Sequence, residues 1–313
     1  MPNRESLNLP DELLVLGAAV EVGLIQRLKT GNARLTELVE ELALDRRALD
    51  AVLSFLLSQG YVRQDKDAYS LTDEAYAMFF NEEDPAYTGM GFMHAYTRIG
   101  TWLSLPAVLK SGTPPKRERN AQKLGYFMDA MRSYAREVSP RVVALLMHGF
   151  AGARLRVVDL GGGPLNYAVP LARAGARVTV VDIPNVLALM ADKVPRDVAI
   201  ELWPGDFNER LPEGPFDIAF LGNVSHIYSG EENRELIIRV GRIVVPGGRI
   251  AILDYVRGIS PRAGYMAVNM LLSTQAGGTY TLDEYTGWLC EAGFAGPVVH
   301  EVSGRQLLIA NKL

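Results

Sequence analysis

Apolar positions recur at helical spacing from Leu13 to Leu28, and Thr30-Gly31-Asn32 supplies a stop, so the segment reads as one helix. A second helix covers Thr36 to Leu42, and a third follows Asp45, a suitable N-cap, through the run from Leu49 to Leu57. After Gly60, Tyr61-Val62-Arg63-Gln64 and Ala68-Tyr69-Ser70-Leu71-Thr72 flank a charged turn with the alternation of a β-hairpin. Three helices and a hairpin in that order make a winged helix. From Asn81 to Leu109 the chain is rich in aromatics and methionine, including Tyr87, Met90, Phe92, Met93, His94, Tyr96 and Trp102. Such a stretch suits helix core or, in a sharper reading, the wall of a pocket for a small apolar molecule.

The pattern changes after Ser111-Gly112-Thr113-Pro114-Pro115 and the charged run Lys116-Arg117-Glu118-Arg119. Short apolar runs now alternate with helical segments: Arg156 to Asp159, Val178 to Asp182, Ala199 to Trp203, Ile218 to Leu221 and Ile250 to Asp254. Strands separated by helices connect through right-handed crossovers, which predicts an α/β fold with a Rossmann-like, mostly parallel sheet covered on both faces. A chain of 313 residues also exceeds what one core usually organises. The expected division is a mainly helical, winged-helix-like domain with connecting helices over 1–112 and the sheet domain over 113–313.

In such sheets ligands sit outside the carboxyl ends of the strands, and the chemistry of this sequence falls there. The first strand ends in Asp159-Leu160-Gly161-Gly162-Gly163-Pro164, where glycines let the backbone turn sharply and approach a ligand that a Cβ would obstruct. The second ends in Asp182, placed to accept hydrogen bonds from a ribose diol. The third leads into Gly205-Asp206-Phe207, a carboxylate and an aromatic face suited to adenine. The full dinucleotide fingerprint fails because its last glycine position is Asn166. Together these residues indicate a nucleoside ligand.

Charge narrows the partners. A formal net charge of −4 gives no field for holding nucleic acid or an anionic membrane. The helix before the hairpin, Ala48-Leu49-Asp50-Ala51-Val52-Leu53-Ser54-Phe55-Leu56-Leu57, lacks the cations and amides that read base edges. The single cysteine, Cys290, excludes an internal disulfide and a thiolate metal cluster, and no metal is expected. The opening residues lack a signal-peptide pattern and no stretch is apolar enough to span a bilayer, so the expected setting is the cytoplasm, without membrane or nucleic-acid partners.

With LGAAVEVGLIQRL, YVRQDKDAYSLTDEA, VVDLGGG, VTVVDIPNV, PGDF, GNVSHIYSGEEN, VPGGRIAILDYV and YTLDEYTGWLCEAGF in this order, the chain resembles the small-molecule O-methyltransferases that carry a winged-helix-like dimerisation domain ahead of a class I methyltransferase domain, the acetylserotonin and caffeic acid type in bacterial form. The resemblance covers nearly the whole chain. It implies S-adenosyl-L-methionine as cofactor and S-adenosyl-L-homocysteine as product. Asp159 and Gly161 to Gly163 would lie beside the methionine part, Asp182 with Ile183 at the ribose, and Gly205, Asp206 and Phe207 around the adenine, with Asn223 also at the cofactor. It implies His226, in His226-Ile227-Tyr228, as general base, oriented by Asp254. It also implies a homodimer formed through the first domain.

A histidine titrates near neutrality and takes a hydroxyl proton, while a carboxylate behind it fixes the tautomer. Candidate acceptor contacts are Phe92, His94, Phe127, Met128, Met131, Asn269 and Met270, around an apolar or aromatic molecule of the secondary-metabolite kind. The carboxylate that some plant members place after a Gly-Gly pair has no counterpart, since Gly277-Gly278 is followed by Thr279-Tyr280-Thr281. Two other readings stay open at this point: a carbon or nitrogen methyltransferase, or an enzyme using the sulfonium without methyl transfer, on the same fold; and a DNA-binding regulator.

Overall fold

The computed structural model describes residues 8–116, 120–150 and 154–313. Arg117, Glu118 and Arg119, within the charged run after the Pro-Pro break, lie outside the described residues, as do residues 1–7 of the opening segment. Two compact units are present, one holding the described residues of Met1–Ile99 and Arg119–Ser133, the other those of Gly100–Glu118 and Tyr134–Leu313. The chain therefore passes between units after Ile99, between Lys116 and Asn120, and after Ser133.

In the first unit the apolar run from Leu13 to Leu28 forms two helices, Asp11–Glu21 and Leu24–Lys29, where the spacing predicts one. The break is Gly23, whose φ of +80° is left-handed, a conformation open to glycine at little cost. Helices Leu35–Leu42 and Arg46–Ser58 follow, the latter capped as expected by Asp45, whose Oδ1 accepts the Ala48 N–H at 2.8 Å. Strand β1 (Ala33–Arg34), β2 (Val62–Asp65) and β3 (Ala68–Leu71) make an antiparallel sheet of order β1-β3-β2. The hairpin β2-β3 is the one read from alternation, whereas two-residue β1 is too short to show a period. Leu24, Ile25, Leu38, Leu53 and Leu56 fill the core, so the helix before the hairpin is committed to packing.

The second unit is built on β4 (Arg156–Leu160), β5 (Arg177–Asp182), β6 (Ile200–Pro204), β7 (Phe216–Gly222), β8 (Val244–Asp254), β9 (Val298–Val302) and β10 (Arg305–Asn311). Their order is β6-β5-β4-β7-β8-β10-β9. The first five are parallel, and β10 runs antiparallel to both β8 and β9. Central strands read as continuous apolar runs because both faces are covered, and Val157, Val158, Leu160 and the stretch from Ile218 to Leu221 are fully buried. Register aligns the carboxyl ends: Leu160 pairs with Val181 and Leu221, Asp182 with Pro204, and Gly222 with Leu253. Asp159, Asp182, Gly205, Asn223 and Asp254 are thereby delivered to one sheet edge.

Candidate active site

The glycine loop after β4 is shaped by what surrounds it. Gly161 has φ +74° and donates its N–H to the Val181 carbonyl at 2.8 Å. A Cβ there would stand 2.6 Å from Val224 Cγ2. A Cβ on Gly162 would be 2.4 Å from Asp159 Oδ2, and one on Gly163 would be 2.5 Å from Val186 Cγ1 and 2.7 Å from Asp182 Oδ2. The loop lies directly against two carboxyl groups, which only glycines permit. Leu165 and Asn223, at φ +61° and +60°, hold left-handed backbone without being glycine, a cost that concentrates at functional turns.

Asp182 Oδ2 accepts the Gly163 N–H at 3.0 Å and Oδ1 the Ile183 N–H at 2.7 Å. Burial nonetheless raises its pKa, with these two donors opposing. Asp159 is 1% exposed and its Oδ2 has no partner among the described residues. Burial, then the charge of Asp182, pushes its ionisation up to about 7. The residues fit the adenosine-bearing cofactor that the sequence implies: the cradle would be filled by any Cβ, and a buried carboxyl oxygen beside it lacks a protein partner.

At the β6 exit, Gly205 donates to the Asp182 carbonyl at 3.0 Å, and Asp206 Oδ1 accepts the Asn208 N–H at 2.8 Å. Phe207 is buried and meets the Tyr228 ring edge-on, centroids 5.7 Å apart. Burial, then the charge of Asp206, pushes the Tyr228 hydroxyl up to about 12. The fold thus brings Gly205-Asp206-Phe207 next to His226-Ile227-Tyr228.

His226 lies in the single 3₁₀ turn Ser225–Ile227 after β7. Its Nδ1 is 2.7 Å from Asp254 Oδ1 at the end of β8, and its backbone N–H reaches Asp254 Oδ2 at 3.1 Å. The Tyr255 N–H also donates to Oδ1, at 2.7 Å. Both side chains are buried, 8% exposed for His226 and 1% for Asp254. A carboxylate can only accept, so the hydrogen-bond network assigns the proton to Nδ1 and the lone pair to Nε2. Chemically the pair is a base backed by a counter-charge.

Residues that sequence reading missed hold this turn. Asn233, 1% exposed on the helix Gly230–Ile243, donates Nδ2 to the carbonyls of Ser225 at 2.8 Å, Ser229 at 2.9 Å and Tyr228 at 3.3 Å. The helix itself starts with a capping box between Ser229 and Glu232. The Tyr280 hydroxyl donates to the Tyr228 carbonyl, and the Gly278 N–H to the His226 carbonyl at 2.9 Å. A Cβ on Gly277 would come 2.5 Å from the His226 carbonyl oxygen and 2.6 Å from that of Ile227. The Gly-Gly pair was legible, but its close approach to the histidine turn was not.

Of the candidate acceptor contacts, Phe92, His94, Phe127, Met128 and Met131 belong to the first unit, where the His94 and Phe127 rings meet edge-on at 5.2 Å. Asn269 and Met270 belong to the second, both buried on the helix Ala263–Leu271. Trp102, the part of the aromatic stretch that falls in the second unit, stacks on Tyr265 of that helix at 5.4 Å. Among the described residues no cluster of His, Cys, Asp and Glu could hold a metal ion, and no helix is long and apolar enough to cross a membrane.

Comparison with known proteins places this geometry. Residues 113–295 match the model of the O-methyltransferase domain. The chain is 28% identical over 298 residues to a 3-hydroxy-5-methyl-1-naphthoate 3-O-methyltransferase of Streptomyces sahachiroi, covering 89% of this chain and 84% of that one. It is 26% identical to the tetracenomycin polyketide synthesis 8-O-methyl transferase TcmO of Streptomyces glaucescens, covering 93% and 90%. A solved structure of PigF with SAH superposes with a TM-score of 0.79 over all of both chains at 20% identity, which establishes a common fold.

Proposed function

The chain belongs to the O-methyltransferase domain family, and from that premise we propose that it methylates a hydroxyl on an aromatic, polyketide-like acceptor, with His226 as general base and Asp254 as its orienting partner. Its methyl donor is S-adenosylmethionine, which supplies a methyl group activated by a positively charged sulfur. Aromatic acceptors are supported by the relatives named for a hydroxynaphthoate and a tetracenomycin polyketide.

The protein's part in an in-line displacement is alignment and deprotonation. Gly161 to Gly163 offer a close backbone surface for the amino-acid end of the donor, with Asp159 beneath them. Asp182, with a lone pair left on each oxygen, takes the ribose hydroxyls beside Ile183, while Asp206 and Phe207 flank the adenine and Asn223 closes the β7 side. His226 Nε2 receives the acceptor's hydroxyl proton, and Asp254 compensates the imidazolium that forms. Asn269 and Met270, on the helix Ala263–Leu271 of the same unit, supply acceptor contacts. A homodimer formed through the helical unit belongs to the same proposal, and sedimentation of the purified protein would report it.

The observation that carries this reading is the buried 2.7 Å contact between Nδ1 and Asp254, which leaves Nε2 as a base. Replacing His226 by Ala should lower kcat by about a hundredfold or more, the usual share of general-base catalysis, with donor affinity within about twofold of wild type. Unchanged turnover would reject the base role.

A further inference from the structure

The helix Ala263–Leu271, to which the reading above gives the acceptor contacts Asn269 and Met270, ends against the histidine turn. Two hydroxyls close its last turn: Ser273 Oγ donates to the Asn269 carbonyl, and Thr274 Oγ1 to the Met270 carbonyl at 2.9 Å. Such bonds to the fourth residue before are common at helix ends, and alone they would only finish the helix. Thr274 does more, because the same oxygen accepts the Gly277 N–H at 2.9 Å. Gly277 is in turn wedged in place. A Cβ on it would stand 2.5 Å from Thr274 Oγ1, 2.5 Å from the His226 carbonyl oxygen and 2.6 Å from that of Ile227. Its φ lies outside the left-handed region, so space rather than backbone conformation demands glycine here. The next residue, Gly278, donates its N–H to the His226 carbonyl at 2.9 Å.

These contacts run without a gap from the acceptor helix to the dyad: the Met270 carbonyl, the Thr274 hydroxyl, Gly277 with Gly278, the His226 backbone, and from the His226 N–H to Asp254 Oδ2 at 3.1 Å. Other restraints act on either side. Asn233 holds the carbonyls of Ser225, Tyr228 and Ser229, and the Tyr280 hydroxyl holds that of Tyr228, so the carbonyl of His226 itself is left to Gly278. We propose that Thr274 is a positioning residue for the base: by tying Gly277 to the last turn of the acceptor helix it fixes the His226 turn relative to Asn269 and Met270, so that the acceptor hydroxyl and Nε2 are aligned by one piece of chain. The proposal rests on His226 being the base. Alignment matters because a misplacement of about 1 Å can cost about a hundredfold in rate. Without the hydroxyl the Gly277 N–H loses its acceptor, and the Gly277-Gly278 segment has no side chain of its own to keep it in place.

The chain has four histidines, His94, His148, His226 and His300, so labelling them with nitrogen-15 in the full chain gives four imidazole signals, and His226 is the one missing from His226→Ala. In the wild type the Nδ1–H of His226 should exchange slowly with water, being buried against Asp254. Thr274→Val keeps the shape and removes the hydroxyl. The Nδ1–H should then exchange about tenfold faster, the effect of one lost hydrogen bond on local opening, while the other three signals stay in place. Thr274→Ser, which restores the hydroxyl, should return His226 to the wild-type rate. A threonine that merely finishes the helix predicts a lower melting temperature with His226 unmoved. An unmoved His226 signal in Thr274→Val, or exchange in Thr274→Ser as fast as in Thr274→Val, would overturn the proposal. Should Thr274→Val not fold, Gly277→Ala takes its place: its Cβ presses on the His226 and Ile227 carbonyls, and an unchanged His226 signal counts against the coupling. Wild-type turnover in His226→Ala would instead remove the base and leave the exchange result standing, which keeps the two readings apart.

Discussion

Replacing Asp254 by Asn isolates the link between carboxylate and imidazole, because the two side chains have nearly the same shape. Asp254 accepts three N–H donors, from the His226 ring, the His226 backbone and Tyr255. An amide offers only one accepting oxygen. If that oxygen stays toward His226 Nδ1, the new NH₂ group confronts the His226 backbone N–H; if the amide turns, NH₂ faces Nδ1 and forces the ring proton onto Nε2. The second arrangement removes the base outright, and the first loosens the turn that aims it. Loss of the correct tautomer costs on the order of 10²–10⁴ in turnover, so kcat should fall about a thousandfold. Stability should drop by about 1.5–3 kcal/mol, the contribution of hydrogen bonds to a charged group left unsatisfied in a buried place. The assay is S-adenosylhomocysteine formation at saturating donor and acceptor, together with thermal unfolding and calorimetric donor affinity. Turnover within about tenfold of wild type, with the variant folded and binding donor, would refute the argument that Asp254 sets the state of His226.

Three further outcomes test neighbouring parts of the argument. Asn233→Ala strips a donor from three backbone carbonyls of the histidine turn, and should cost about 2–4 kcal/mol in thermal or chemical unfolding while lowering kcat more than donor affinity. Gly163→Ala drives a Cβ to 2.5 Å from Val186 Cγ1 and 2.7 Å from Asp182 Oδ2, so calorimetry should find S-adenosylhomocysteine bound about tenfold or more weakly; wild-type affinity would show that the loop does not cradle the ligand. Asp159, raised to about 7 by burial, binds its proton more tightly folded than unfolded, so it lowers the stability of the empty enzyme as pH rises from about 4 to about 7. Melting curves of Asp159→Asn across that range should lose this decline, and a parallel decline in wild type and variant would assign it to other groups.

Legibility in the sequence followed the length scale of each interaction. The inner strands β4 and β7 and the second half of β8 were visible because a strand buried on both faces is largely apolar, whereas edge strand β6 is only partly buried. The antiparallel pair β9 and β10 was not, since this hairpin turns through Ser303 and Gly304 and carries polar positions such as Gln306, buried because Ser260 donates to it. Asp45 was readable as a cap because capping is settled within four residues, whereas the break at Gly23 depends on a single φ inside an unbroken helical pattern. The dyad came from the family resemblance. Its supports could not, because Asn233, just beyond the turn, and Gly277, far along the chain, both act on the turn's backbone atoms, and neither periodicity nor composition registers such contacts.

Asp159 and Asp254 are equally buried, yet they are solvated in opposite ways, and the reaction gives a reason. Asp254 is surrounded by N–H donors before any substrate arrives, as suits a group that must meet a cation made on His226 in each turnover. Asp159 has an oxygen with no donor among the described residues, as suits a group beside the glycine loop whose partner arrives with the ligand. Methyl transfer to a hydroxyl removes one positive charge at sulfur and deposits one on the base. Strand register sets β4 and β8 on either side of β7, so the carboxyl beside the glycine loop and the carboxyl beside the base rise from the same sheet edge.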